Sequence, residues 1–225
     1  MCRAWYSGSM RLIITRHGQT HENSQKISMG QSIDGSLSKE GIDQAKKLAN
    51  RLKKEKIDFV YVSDLKRALN TADEILKFHP SAKKVINKDL RERSLGVYEG
   101  KPNNLWKNAM KESSRSFSRF KPKNGESYLE LKNRTKKFFD LLLKKHIDDN
   151  VLVVSHTGTS TMLIMNVLHE RITKTRYEHY RPKNTALTVF EISKDRRARM
   201  RLINDISHLK NKYYVYVTTK KIRAV

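Results

Sequence analysis

Cysteine and long apolar runs are what this sequence lacks most clearly. Cys2 is its one cysteine, which excludes an internal disulfide and a cysteine-based zinc site and fits a reducing compartment. No apolar run approaches the roughly 20 residues that a membrane-spanning helix needs. The first nine residues, MCRAWYSGS, also lack the apolar stretch of a secretory signal. We therefore expect a cytoplasmic protein that does not bind a membrane.

Acidic residues are scarce as well. Among 225 residues, 23 Asp and Glu stand against 47 Lys and Arg, which gives a formal net charge of +24. Such a charge attracts phosphorylated metabolites or polyanions and says nothing about the fold. The length suits one sizeable core, so we expect a single domain over residues 10–225. Residues 1–9 are left out of it as a disordered arm or a tag, because Met10 comes immediately before the first strand-like segment.

Apolar residues follow two periods along the chain, one typical of buried strands and one typical of amphipathic helices. Buried strands are predicted at 12–15, 59–62 and 151–154, helices at 38–52, 65–76, 126–146 and 162–168, and antiparallel edge strands at 186–192, 200–203 and 213–218. Residues 101–124 are predicted to be a lid with one short helix at about 105–110. The alternation predicts a three-layer α/β/α sandwich with a mostly parallel central sheet and a site at the carboxyl ends of the strands.

Helix boundaries can be predicted in more detail at two places. Ser38 is a plausible N-cap, with Ile42 opening the apolar stripe of the helix that follows. Ser63 or Asp64 is expected to cap the next helix.

Two of the predicted strands end in a histidine that is followed within two residues by glycine: Arg16-His17-Gly18 and Ser155-His156-Thr157-Gly158. One such histidine is more often a surface residue than a nucleophile. Two of them on neighbouring parallel strands bring both imidazoles to one edge of the sheet, beside helix N-termini that favour anions. Arg16 and Arg67 add planar forks that match phosphate oxygens. The pattern therefore predicts a phosphate site.

These residues belong to a longer series of motifs. The series is Arg16-His17-Gly18-Gln19-Thr20 with Asn23, Ser63-Asp64-Leu65-Lys66-Arg67-Ala68 with Thr71-Ala72, Leu90-Arg91-Glu92 with Gly96 and Glu99-Gly100, Gly125-Glu126-Ser127, Val153-Val154-Ser155-His156, and Asn184. Any one string is a weak signal, but five in this order are specific. Over residues 10 to about 192 the chain resembles the histidine phosphatase superfamily, which has the phosphoglycerate mutase-like fold.

The resemblance implies a role for each site residue. His17 is the nucleophile that forms a phosphohistidine, and a neutral imidazole can attack phosphorus if its other nitrogen is fixed, typically by a backbone carbonyl. Arg16, Arg67 and a charged His156 neutralise the phosphate, and Asn23 donates a further hydrogen bond. Glu92 protonates the leaving alkoxide, although a glutamate between two arginines would by itself suggest an exposed ion pair. Gln19, Gly30 and Thr157 are further phosphate-binding candidates, and neither a metal nor a cofactor is expected.

Hydrolysis is favoured over the alternatives. Mutases of the family carry a long insertion where only 24 residues separate Gly100 from Gly125 here, so a histidine acid-type phosphatase acting on a small phosphorylated metabolite is expected rather than a cofactor-dependent phosphoglycerate mutase. A broad-specificity enzyme, a sugar bisphosphatase and an α-ribazole phosphatase all remain open, as does the oligomeric state. The lid content suggests a mixed apolar and basic cover for a substrate with a second anionic group; its residues are Trp106, Arg115, Phe117, Arg119, Phe120, Lys121 and Lys123.

A different class of function is nucleic-acid binding, with catalysis secondary or lost. Its support is the basic segment 194–201 and the basic, tyrosine-rich tail 210–223. Charge runs between strands are usually solvated turns, so we expect this activity to be absent or minor.

Overall fold

The computed structural model describes residues 8–209, and a mixed six-stranded sheet runs through them. The strands are β1 (Ser9–Arg16), β2 (Phe59–Val62), β3 (Lys83–Ile86), β4 (Asn150–Ser155), β5 (Leu187–Ser193) and β6 (Ala198–Asp205). Their order in the sheet is β3-β2-β4-β1-β5-β6. Neighbours from β3 to β1 are parallel, while β5 and β6 are added antiparallel. The predicted α/β fold with a mostly parallel centre is confirmed.

Seven helices accompany the sheet within the described residues. They are α1 (His21–Ser24), α2 (Lys39–Leu52), α3 (Lys66–Leu76), α4 (Asn103–Glu112), α5 (Tyr128–Lys145), α6 (Thr157–Val167) and α7 (Lys174–Tyr180). None of them is long and apolar enough to cross a membrane.

Side chains alternate between the two faces of the sheet, as the period of two in a strand requires. On one face Leu12 and Ile14 of β1 pack in a cluster with residues of α5 and α6. On the other face Ile13 packs in a second cluster with residues of α2 and α3. Helices therefore cover both faces of the parallel strands, which explains their continuous apolar sequences.

The start of α2 was predicted correctly, the start of α5 has a cap that was not predicted, and the cap predicted for α3 is wrong. The Ser38 hydroxyl accepts from the Gly41 amide at the start of α2, and Ser127 forms a capping box with Glu130 at the start of α5. Neither Ser63 nor Asp64 caps α3, because Leu65 is at the N-cap position. The carboxylate of Asp34, distant in sequence, accepts from the first amide of that helix instead, at 2.6 Å.

The structure departs from the sequence prediction at several other places. β1 begins at Ser9, which pairs with Ser193, so the strand includes one residue of the segment that was left out. Ile42 is 40% exposed and does not join the core. Three short elements were not predicted, namely α1, the exposed edge strand β3 and the polar helix α7, because none has a clear apolar period. The strand predicted at 213–218 lies outside the described residues.

Candidate active site

His17 and His156 meet at the carboxyl edge of the two central strands. β1 and β4 are parallel with Arg16 opposite Ser155, so each histidine comes one residue after a paired position. Their ring centroids are 5.1 Å apart, at an interplanar angle of 56°. The predicted convergence of the two imidazoles is what this register produces.

The His17 ring is fixed in the tautomer that a nucleophile needs. Its Nδ1 lies 2.7 Å from the carbonyl oxygen of Gly18, and because a carbonyl only accepts, Nδ1 carries the proton and Nε2 keeps its lone pair. Burial, followed by the charges of Arg16 and Arg67, holds the pKa of His17 well below its ordinary value. The ring is therefore neutral near pH 7.

The His156 ring lies beside that of His17, as predicted, and both of its nitrogens contact neighbouring side chains. Its Nδ1 accepts a hydrogen bond from Nε of Arg67 at 3.1 Å, and its Nε2 lies 2.9 Å from the Ser63 hydroxyl. Burial and the Arg67 charge hold the pKa of His156 well below its ordinary value. The ring is fully buried and is not among the residues that line the pocket. It is neutral here and positions Arg67.

Arg16 ends β1 with its guanidinium buried beside His17. Nη2 donates to Oδ1 of Asn23 at 3.2 Å, while Nε has no acceptor among the described residues. Burial lowers the pKa of Arg16 to about 10, so the group stays charged at neutral pH. Asn23 thus acts first as an acceptor that orients Arg16. Its Nδ2, the predicted phosphate donor, lies 3.8 Å from Sδ of Met29.

Arg67, the second residue of α3, is almost completely buried. Its two terminal nitrogens donate to the carbonyl oxygens of Ile33 and Gly30, each at 2.9 Å. Each also carries a second N–H for a ligand. Gly30 therefore contributes through its carbonyl, and its positive φ of 52° is a conformation that glycine adopts easily.

Glu92 lies at the N-terminus of α6, where an anion is favoured. Its carboxylate accepts from the Gly158 amide at 3.0 and 3.1 Å, and from the Arg93 amide at 2.7 Å. Glu92, Thr157 and Gly158 all line the same pocket as His17. The structure thus brings the expected proton donor to the nucleophile, and it corrects the reading of Glu92 as an exposed ion-pair partner.

Gln19 does not join the pocket, contrary to expectation. Its amide donates to Gln44 of α2, and its carbonyl and side-chain oxygens accept from Ser38. Its role is to fasten the loop after His17 to the start of α2.

The lid is built from apolar contacts, and its cations face outward. Trp106 of α4 lines the pocket, Phe117 stacks on Tyr128 with centroids 4.7 Å apart, and Phe120 is buried. The four basic lid residues are exposed and absent from the pocket lining; they are Arg115, Arg119, Lys121 and Lys123. The expectation that they cover the substrate is wrong, because their long side chains remain solvated.

Several pocket residues were missed by sequence reasoning, among them Arg93, Tyr177 and Arg181. Arg93 follows Glu92 directly, so its position beside the proton donor was a usable signal. Tyr177 and Arg181 lie on and just after α7, an element that the apolar pattern did not reveal.

The pocket is strongly electropositive. Arg16, Arg67, Arg93 and Arg181 line it together with one carboxylate, Glu92. Its cavity volume is about 120 Å³. A buried neutral imidazole with a fixed tautomer, surrounded by guanidinium groups, is suited to accept a phosphoryl group and to neutralise its equatorial oxygens.

The structure is thus an α/β protein with a buried histidine and four arginines in one pocket at the carboxyl edge of its parallel strands. The model of the histidine phosphatase superfamily (branch 1) matches residues 12–206, and the chain belongs to that superfamily.

Several relatives are similar over much of the chain. Phosphoglycerate mutase-like protein 4 of Arabidopsis thaliana is 31% identical over 88% of this chain and 86% of its own length. The metal-independent phosphoserine phosphatase of the same plant is 34% identical over 72% of this chain and 68% of its own. Fructose-2,6-bisphosphatase TIGAR B of Danio rerio is 37% identical, but the match covers 62% of this chain and only 55% of that protein. Phosphatases are thus prominent among these relatives.

Solved structures support the fold. YhfR of Bacillus stearothermophilus superposes with a TM-score of 0.80 at 23% identity, covering 89% of this chain and all of that one. At this identity the likeness concerns the architecture alone.

Proposed function

We propose that the protein is a phosphoric monoester hydrolase of the histidine acid type, acting on a small phosphorylated metabolite in the cytoplasm through a phosphohistidine on His17. The observation that carries the proposal is the state of that ring. A carbonyl fixes Nδ1–H, burial keeps the imidazole neutral, and Nε2 is left as the nucleophile.

The positive charge for the reaction comes from the chain itself. Arg16 and Arg67 lie beside His17 in the pocket lining, Arg16 with an unpaired Nε and Arg67 with a second N–H on each terminal nitrogen. As the phosphoryl group moves from the ester oxygen to Nε2, these donors stabilise its equatorial oxygens. We therefore propose that the reaction needs neither a metal nor a cofactor.

Glu92 is proposed as the proton donor to the leaving alkoxide. Its carboxylate lies at the N-terminus of α6 in the pocket lining, and a dianionic phosphate brought beside it favours its protonated form. After the alkoxide has left with that proton, the ionised carboxylate can accept a proton from the water that attacks the phosphohistidine. The same carboxyl group therefore acts in both steps, protonated when the alkoxide leaves and ionised when water attacks.

His156 is proposed to act through Arg67 until phosphate binds. Its Nδ1 accepts from Arg67, so a direct contact between Nδ1 and phosphate requires this bond to break. A phosphate dianion close to the ring favours protonation of His156, which would then become a second donor to the phosphate.

Two other functions, phosphoglycerate mutase activity and nucleic-acid binding, have some support. A phosphoglycerate mutase activity is supported by the similarity to phosphoglycerate mutase-like protein 4, whereas the short segment 101–124 between Gly100 and Gly125 favours hydrolysis. Nucleic-acid binding has support from the sequence alone. The tail 210–223 lies outside the described residues, and the arginines of segment 194–201 lie in the turn before β6 and along that edge strand. We therefore place hydrolysis first.

The first prediction tests the nucleophile. We expect His17→Ala to lose at least about a thousandfold in kcat, since removal of a group that acts as part of a catalytic unit costs most of the rate acceleration. The measurement is phosphate release from a panel of phosphomonoesters with a chelator present throughout. Rapid quench with labelled substrate should trap one acid-labile, base-stable phosphohistidine in the wild-type protein.

His21→Ala is the matched control, because His21 is an exposed histidine on α1 outside the pocket lining. It should retain wild-type turnover. Undiminished turnover in His17→Ala, or activity abolished by the chelator, would contradict the mechanism. Transfer of phosphate between positions of phosphoglycerate without release would favour the mutase.

A further inference from the structure

Two side chains of the pocket carry buried hydrogen-bond donors without an acceptor among the described residues. Both terminal nitrogens of Arg93 and Nε1 of Trp106 are buried and unpaired among the described residues. Both side chains line the pocket that contains His17. Arg93 is 3% exposed, and a guanidinium so buried is rarely left without an anion or a carbonyl.

Aromatic rings hold the Arg93 guanidinium in place. Its central carbon lies 4.0 Å from the ring centroid of Tyr128 and 4.9 Å from that of Trp106. Tyr128 is itself packed against Phe117 and Tyr177, with centroids 4.7 Å away in each case. These contacts involve the ring faces and leave the N–H edge of the guanidinium for a ligand. The cation is therefore positioned without any of its terminal hydrogen bonds being used.

Arg93 belongs to a different part of the pocket wall from the arginines at His17. Arg67 is tied to the loop carbonyls at residues 30 and 33, and Arg16 to Asn23. Arg93 is instead held by aromatic residues of α4 and α5. The carboxylate of Glu92, the residue before Arg93, is held on the Gly158 amide.

We propose that Arg93 and Trp106 bind a second anionic group on the substrate, so that the enzyme acts on phosphomonoesters that also carry a carboxylate or another phosphate. The inference rests on the proposed phosphatase function and specifies its substrate class. A planar fork with an adjacent indole N–H suits an oxyanion, which can accept from all three nitrogens at once. A neutral hydroxyl would leave most of these donors unpaired.

The test compares substrates that differ in the second group alone. 3-Phosphoglycerate and glycerol 3-phosphate differ by a carboxylate in place of a hydroxymethyl group. Propane-1,3-diol bisphosphate and 3-hydroxypropyl phosphate differ by one phosphate. We expect the intact protein to favour the doubly anionic member of at least one pair by about tenfold to a hundredfold in kcat/KM, the range that a charged hydrogen bond provides. The pair with the larger ratio identifies the anion as carboxylate or phosphate.

Three variants assign the preference to the two side chains. In Arg93→Met the ratio within the favoured pair should fall toward one, and Arg93→Lys, which keeps the charge but loses the fork, should give an intermediate ratio. Trp106→Phe keeps an aromatic ring at this position and removes the indole N–H. We expect it to lower the kcat/KM ratio within the favoured pair by less than Arg93→Met does. Arg115→Met is the matched control, because Arg115 is an exposed lid arginine outside the pocket lining; it should keep the wild-type ratio.

The outcomes separate this proposal from the one on which it rests. Turnover of all four esters at equal kcat/KM would overturn the second-anion site and leave the phosphatase function standing. An Arg93→Met protein that loses both members of a pair equally would show a structural role for Arg93 and also overturn the site. No turnover of any phosphomonoester by the intact protein would instead count against the proposed function. If Arg93→Met does not fold, the wild-type ratio and Trp106→Phe still decide the question.

Discussion

His17 shows how its surroundings prepare a single residue for catalysis. Desolvation disfavours the imidazolium ion, and the two flanking guanidinium groups disfavour it further. The same arginines that would bind phosphate thus also keep His17 unprotonated. Arg16 is itself affected by burial, but with its pKa lowered to about 10 it remains a cation.

The pH dependence of kcat/KM follows from this. Because the pKa of His17 lies well below the ordinary 6.5, kcat/KM should show no loss near pH 6.5 that arises from protonation of the nucleophile. Arg67→Gln removes one positive neighbour and should raise the pKa of His17, which moves the acid limb to higher pH as well as lowering the rate. The measurement is a pH profile of kcat/KM, corrected for ionisation of the substrate phosphate. A fall of kcat/KM with an apparent pKa of about 6.5 in the wild type, at the same pH in Arg67→Gln, would contradict the lowered pKa of His17.

At the scale of secondary-structure elements, the site depends on loops fastened to helix ends. The loop after β1 lies directly on the first turn of α2, where a Cβ on Gly18 would collide with the carbonyl of Gly41 and a Cβ on Gly41 with the carbonyl of Gln19. The Gly18 carbonyl is also the acceptor for Nδ1 of His17. Close approach of two glycines therefore holds the loop whose carbonyl fixes the tautomer of His17.

A substitution at this contact should affect stability and catalysis together. Gly41→Ala places a methyl group against backbone atoms that cannot move aside cheaply, so we expect a loss of about 1–3 kcal/mol in the free energy of unfolding and a fall in kcat. Urea unfolding and steady-state kinetics measure the two effects.

Gly35→Ala is the control for this change, because a Cβ there meets only the flexible carboxylate of Glu22. It should alter unfolding by less than about 0.5 kcal/mol, as surface substitutions usually do. Equal effects of the two substitutions would show that the contact at Gly41 is not tight.

For the whole molecule, buried histidines link folding to pH. Burial lowers the pKa of His17, His156, His79 and His208, the last to about 4. In the unfolded chain the same rings titrate near 6.5. Below that pH the unfolded state binds more protons than the folded state, so stability falls as the pH decreases toward the folded pKa values.

We therefore expect the free energy of unfolding to be lower at about pH 5.5 than at about pH 7.5. About pH 5.5 is one unit below the pKa of histidine in the unfolded chain. At that pH each ring that stays neutral in the folded state contributes about 1.4 kcal/mol to the loss of stability. Urea unfolding of the wild type and of His156→Asn at the two pH values measures the contribution of one ring. On acidification His156→Asn should lose less stability than the wild type. His21→Asn, which changes an exposed residue, should lose as much stability as the wild type does. A wild-type stability that does not fall would refute this linkage.

The sequence determined the fold class and the central chemistry. Continuous β-branched strands, each followed by an amphipathic helix, leave little choice but a parallel sheet covered on both faces, and parallel strands that both end in histidine must present those rings at one edge. His17, Arg16 and Arg67 could therefore be predicted, because short-range patterns and strand register fix them, whereas Glu92 was predicted only through the resemblance to the superfamily.

The tertiary structure decided what depends on long-range contacts. Only packing forms the hydrogen bond between His156 and Arg67, turns the lid cations outward and leaves Arg93 between aromatic rings with its terminal donors unpaired. Asp34 caps α3 from 32 residues away, and no local pattern encodes that distance. Side-chain direction, burial and proton state arise from neighbours that are remote in sequence, so they could not be predicted from the sequence alone.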